Sequence, residues 1–127
     1  MEYLNSDFIS IIMVKIYGVE TSKKVTPLMV RDAIIRCFKK AHEEVLNEMN
    51  KNREFKSSEE LDNFEKIQVD LIVRSVFDDI GADFENPTKM EIIKVLAGLA
   101  KFATKFRKPE IIKKHYNQIM QLVEKLD

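Results

Sequence analysis

Residues 86–126 read NPTKMEIIKVLAGLAKFATKFRKPEIIKKHYNQIMQLVEKL, and they decide the fold because they describe two capped helices hinged at Arg107-Lys108-Pro109. Thr88 with Glu91 three residues on is a capping-box pattern, and Pro87 ahead of it has a φ that suits a helix start. On the helix that follows, Ile92, Leu96, Leu99, Ala103 and Phe106 fall on one face. Beside that face Ala97 and Ala100 leave room for a close neighbour, while Gly98 is read on the outer side, where it weakens the helix. Pro109 ends this helix and opens the next, whose core face is Ile111, His115, Ile119, Leu122 and Leu126, flanked by Ile112 and Val123. The connection is short, so the two helices are expected to fold back on each other.

Upstream of the pair the same signals recur. Thr26-Pro27 is an N-cap followed by proline at the first helical position, and Ile34, Phe38, Ala41, Val45 and Met49 form a stripe flanked by Val30, Ile35 and Leu46. Ser57 and Glu60 make a second capping box, and Gly81 reads as a C-terminal stop. Between them lie two adjacent stripes. Leu61, Phe64, Ile67 and Leu71 form one, and Val69, Ile72, Val73, Val76, Phe77 and Ile80 the other. A single helix carrying both would belong in the middle of the molecule. The run from Asp7 to Tyr17 is the most apolar in the chain, reads as a short helix ending at Gly18, and is expected to cap a bundle or to dock on a partner.

The reading is therefore one all-α domain over residues 1–127. It has five helices, at about 6–17, 27–50, 58–80, 88–107 and 109–126, with the last four forming a four-helix bundle capped by the short N-terminal one. A chain of 127 residues can bury a sizeable core. Three glycines, three prolines and no tryptophan agree with helices and few tight turns. The Asp7–Tyr17 run is too short to span a bilayer and lacks the basic start of a signal peptide, which points to the cytoplasm. One cysteine, Cys37, fits a reducing compartment and reads as a small half-buried hydrophobe.

Basic and acidic residues balance at 21 each, but in blocks: residues 57–86 carry nine acidic against two basic, and residues 87–127 nine basic against four acidic. Helices of opposite sign packing together would absorb much of that contrast. Lys94, Lys101, Lys105 and Lys108 share a face and form a candidate anionic contact, with Arg107, Lys113 and Lys114 nearby. This stripe carries an alternative reading as a nucleic-acid-associated protein, disfavoured by the zero net charge and the lack of stacking or base-reading residues.

Catalytic motifs do not appear. No Glu-x-x-His or His-Glu-x-x-His pattern surrounds His42 or His115, so each is read as a core histidine hydrogen-bonded to a neighbour. The acidic run Asp78 to Glu85 fails the calcium-loop pattern, leaving Asp83 and Glu85 as solvated residues near a helix N-terminus. No catalytic residue, metal ligand or cofactor is assigned, and the protein is expected not to be an enzyme. The candidate partner contacts are Phe8, Ile12 and Tyr17, from the apolar N-terminal run.

The runs Asn86-Pro87-Thr88-Lys89, Leu99-Ala100-Lys101-Phe102-Ala103 and Phe106-Arg107-Lys108-Pro109-Glu110-Ile111-Ile112-Lys113-Lys114-His115-Tyr116 resemble a small archaeal helical family. That family is encoded with energy-converting [NiFe]-hydrogenase A operons of methanogens, as subunit M. Chain length and multihelical layout share in the resemblance. It implies a cytoplasmic accessory or structural subunit that joins other protein subunits, peripheral to the membrane through the complex, with metals and iron–sulfur clusters in other chains. Self-association is compatible with it. The matching residues are helix punctuation and core, so no functional residue carries over.

Overall fold

The computed structural model describes residues 24–103 and 107–126. Among them are five helices and no strand: α1 (Pro27–Lys51), α2 (Ser58–Glu65), α3 (Val69–Asp79), α4 (Lys89–Ala103) and α5 (Pro109–Val123). The helix expected at 6–17, and with it Phe8, Ile12 and Tyr17, lies outside the described residues.

α1, α2 and α4 begin at side-chain caps, whereas α3 and α5 begin without one. The Thr26 hydroxyl accepts from the Met29 N–H at 3.3 Å, the Ser57 hydroxyl from Glu60 at 3.1 Å and the Thr88 hydroxyl from Glu91 at 3.2 Å. Glu91 completes its box: Oε1 accepts from the Thr88 N–H at 2.9 Å, and Oε2 accepts from the Asp83 N–H at 3.0 Å. One carboxylate thus ties the loop before α4 to its first turn. These backbone bonds, the Thr88 one first, hold the Glu91 carboxyl below its ordinary range.

The helix expected over 58–80 is two helices, broken at Lys66-Ile67-Gln68. The reason is phase. Phe64 and Val73 are nine residues apart, so one straight helix would point them about 180° from each other. Both are buried, and the break lets α2 and α3 aim them at one core. Phe64 of the first stripe and Val69, Val73, Val76 and Phe77 of the second are buried, whereas Leu71, which falls on α3, is 55 % exposed and Ile80 38 %.

The most surrounded helix is α1, not the 58–80 segment: it packs against α3, α4 and α5, most extensively against α5, while α4 packs against α3 and α5. Cross-helix bonds fix the directions. Lys108 at the start of α5 meets Glu54 beyond the end of α1, whereas Lys89 Nζ at the start of α4 donates to the Leu126 carbonyl beyond the end of α5. Tyr116 donates to the Leu96 carbonyl at 3.1 Å, which confirms that α4 and α5 fold back antiparallel. At the other side His42 on α1 meets Phe64, and Arg31 meets Phe84, so α3 runs down as α1 runs up. The result is an up-down-up-down bundle of α1, α3, α4 and α5, with α2 leaning on one end.

Of the expected core faces, Ile34, Phe38, Ala41, Val45 and Met49 from α1, Ile92, Leu96 and Leu99 from α4, and His115, Ile119, Leu122 and Leu126 from α5 and the turn after it are buried; Ile111 is half-buried and its flanking Ile112 fully buried instead, and Ala103 and Phe106 fall outside the described side chains. Cys37 is fully buried rather than half-buried. Gly98 corrects the reading of an outward glycine. A Cβ there would stand 2.9 Å from Val76 Cγ1, so Gly98 lies against α3 with no room for a side chain, and Ala97 and Ala100 are exposed instead. Gly81 has φ +72°, the left-handed C-cap conformation that ends α3 and turns the chain toward α4.

Candidate functional site

The two histidines anchor the polar interior. His115 is buried, and its Nε2 lies 2.9 Å from Glu44 Oε1 on α1. A carboxylate only accepts, so Nε2 carries the proton and donates. Lys114 Nζ reaches the other oxygen, Glu44 Oε2, at 3.0 Å. Burial pushes the His115 pKa down, against the opposing pull of Glu44, so the ring stays neutral at pH 7. For Glu44, burial pushes the pKa up but the Lys114 and His115 bonds outweigh it, and the net direction is down. His42 donates from Nε2 to the Phe64 carbonyl at 2.9 Å and stacks on that residue's ring, centroids 4.7 Å apart. Both are core histidines bonded to a neighbour, as their place in the sequence suggested.

The basic stripe is divided by its surroundings. Lys94 and Lys101 are exposed, and Lys105 lies outside the described residues. Lys108 is half-buried with Nζ 2.9 Å from Glu54 Oε1, an interaction that raises its own pKa and lowers that of Glu54. Arg107 pairs with Glu60, and Lys114 with Glu44. One lysine of the stripe and two neighbouring cations already face acidic residues of α1, α2 or the loop between them: Lys108 meets Glu54, Arg107 meets Glu60 and Lys114 meets Glu44. The charge contrast seen along the chain is met in part inside the fold.

In the acidic run, Asp83 Oδ1 accepts the N–H groups of Glu85 at 3.0 Å and Asn86 at 3.2 Å, so it shapes the loop before α4. No group of three or more His, Cys, Asp or Glu able to hold a metal is found among the described residues. Every buried side-chain nitrogen or oxygen among them has a partner. An open pocket of about 430 Å³ lies between α2 and Arg107, lined by Ser57, Glu59, Glu60, Asn63, Phe64, Ile67 and Arg107. Of its charged lining, Arg107 and Glu60 pair with each other, and Glu59 is exposed.

Two features were missed in the sequence. Phe84 sits edge-on to Phe77 and receives two guanidinium groups, Arg31 Cζ at 4.5 Å and Arg74 Cζ at 4.3 Å from its centroid. Arg31 Nη1 also donates to the Phe84 carbonyl at 2.6 Å, pinning the α3–α4 loop to the start of α1. No local signal connects residues 53 apart. The second is an exposed apolar line on α4, Met90, Ile93, Ala97 and Ala100, which helical spacing could have revealed.

The fold defines the class: an all-α up-and-down bundle, in which no helix of the described residues is long and apolar enough to cross a membrane. No family model, curated protein or solved structure matches the chain.

Proposed function

We propose that this chain is a non-catalytic helical protein-interaction module, an accessory subunit of a membrane-associated energy-converting hydrogenase complex. The observation that carries the interaction reading is where exposed apolar side chains lie. Of the exposed large apolar side chains among the described residues, Leu28, Ile80, Met90 and Ile93 stand toward the end of the bundle where α1 begins, and Leu71 stands at the other. Large apolar side chains exposed toward one end of a folded chain support a contact surface there. The hydrogenase assignment rests on the resemblance of residues 86–89, 99–103 and 106–116 to subunit M.

The test is capture of the tagged full-length chain from methanogen lysate at moderate salt, with nuclease treatment and identification of the proteins retained. Hydrogenase subunits that persist after nuclease support the assignment. Retention that nuclease abolishes would replace it with the lysine-stripe reading, which further requires binding to weaken steeply with salt and with Lys101→Glu. Deleting residues 1–17 is expected to abolish capture while the helical signal of the remainder survives; a chain that melts on this deletion would show the run to be core.

A further inference from the structure

The exposed apolar line on α4 does not end at that helix. At roughly 100° per residue, Met90, Ile93, Ala97 and Ala100 fall within about 80° of one another, away from the inward Ile92, Val95, Leu96 and Leu99. Met90 is 63 % and Ile93 40 % exposed, and both alanines are exposed. Lys89, whose Nζ reaches the Leu126 carbonyl, lies within about 40° of Ile93 and Ala100, so these two border α5. Tyr116 bonds the Leu96 carbonyl, which puts Met120, one turn further along antiparallel α5, at about the height of Ile93. Met120 is itself 37 % exposed. Helix surface turned to water normally carries polar residues, so an apolar face shared by two helices is a contact surface.

Its border gives the chemistry of what fits. Lys94 and Lys101 flank the face on α4, and Lys113 of α5 stands at about the height of Ala100; all three are exposed. Glu124 lies toward the Met90 end, so the border is mainly basic and most so beside Ala100. A second copy would bring the same excess of lysine, whereas an acidic occupant meets it with opposite charge. Shape separates a helix from a bilayer. Ala97 and Ala100 leave the middle of the face low between lysine stems and larger apolar side chains, where the ridge of a helix can seat. Met90 to Ala100 spans about 15 Å, or roughly three helical turns.

We infer that this face of α4 and α5 docks one amphipathic helix of a partner chain, apolar on its seated side and flanked by Asp or Glu that meet Lys94, Lys101 and Lys113. The inference rests on the interaction reading above and adds the partner's chemistry to it; it does not depend on the hydrogenase assignment. The face is a contact in addition to Phe8, Ile12 and Tyr17.

The experiment titrates the full chain, methyl-labelled at Met, Ile and Leu, with a synthetic helical peptide of about four turns. The peptide carries leucine along one side and glutamate on both flanks, and a counterpart carries lysine on the flanks. The glutamate peptide should shift the Met90, Ile93 and Met120 methyl signals and leave Leu71, at the other end of the bundle, in place. Ile93→Asp should weaken its binding by about tenfold or more, and Lys94→Glu with Lys113→Glu should reverse the preference between the two peptides. These positions are exposed, and thermal midpoints close to that of the unaltered chain check that the variants fold. Absent shifts, equal binding of both peptides or an unreversed preference would overturn the inference. So would shifts caused by phosphatidylglycerol vesicles but not by the peptide, which would make the face a membrane contact, or a dimer in sedimentation that Ile93→Asp dissociates, which would make the occupant a second copy. In the lysate capture, Ile93→Asp should lose proteins that the unaltered chain retains. If it retains them equally, the docking face fails and the interaction reading stands; if the unaltered chain retains nothing, the interaction reading fails and the docking face with it.

Discussion

His115 and Gly98 show how much a single residue can carry. Burial holds the His115 pKa below its ordinary 6.5, so on acidification the unfolded chain takes up a proton that the folded chain refuses. Stability is therefore complete above about pH 6.5 and falls as pH drops from there through the lowered folded value. Glu44, whose folded pKa lies below its ordinary 4.5, extends the loss to more acid pH. Urea titrations between pH 5 and 8 should show this slope. In His115→Gln, which can still donate to Glu44, the part of the slope just below pH 6.5 should flatten. Gly98→Ala tests the contact with Val76. Alanine raises helix propensity by roughly 1 kcal/mol, but overpacking a buried β-branched neighbour costs about 1–3 kcal/mol. A net destabilisation is expected, and adding Val76→Ala should restore much of it in a double-mutant cycle.

At the scale of the element, α4 starts on one carboxylate and α2 is held by one ring. Glu91→Ala removes the acceptor for the Thr88 and Asp83 N–H groups together, and a lower midpoint is expected in thermal or denaturant unfolding. Thr88→Ala, which leaves Glu91 in place, should cost less. α2 has eight residues, too few to be stable alone, and Phe64 is its buried side chain. Phe64→Ala is expected to cost about 3 kcal/mol or more. Amide exchange should then rise first over 58–65, while α3, anchored by Val69, Val73, Val76 and Phe77, keeps its protection. Equal loss in both helices would mean that they behave as one unit despite the break.

Across the whole molecule, the ion pairs from Glu44, Glu54 and Glu60 to residues 107–115 join distant parts of the chain, but most of their side chains are substantially exposed. Such pairs contribute roughly 0–1 kcal/mol each and are screened by salt. Raising sodium chloride from about 0.1 to 1 M should consequently change the unfolding midpoint only slightly. Stability rests instead on the apolar interior of α1, α3, α4 and α5.

The sequence by itself determined the all-α class, the starts at Thr26, Ser57, Thr88 and Pro109, and the inner faces of α1, α4 and α5. Caps and periodicity are set by residues within about one turn of each other, so they can be read along the chain. Only the tertiary structure decided that 58–80 divides at Lys66-Ile67-Gln68, because the conflict between Phe64 and Val73 exists only once both must reach one core. It also decided that Gly98 meets Val76, that Glu44 meets His115 and that Lys108 meets Glu54. Those partners lie on helices whose adjacency follows from how whole apolar faces pack, and no local pattern encodes which charged or small residue will stand opposite another.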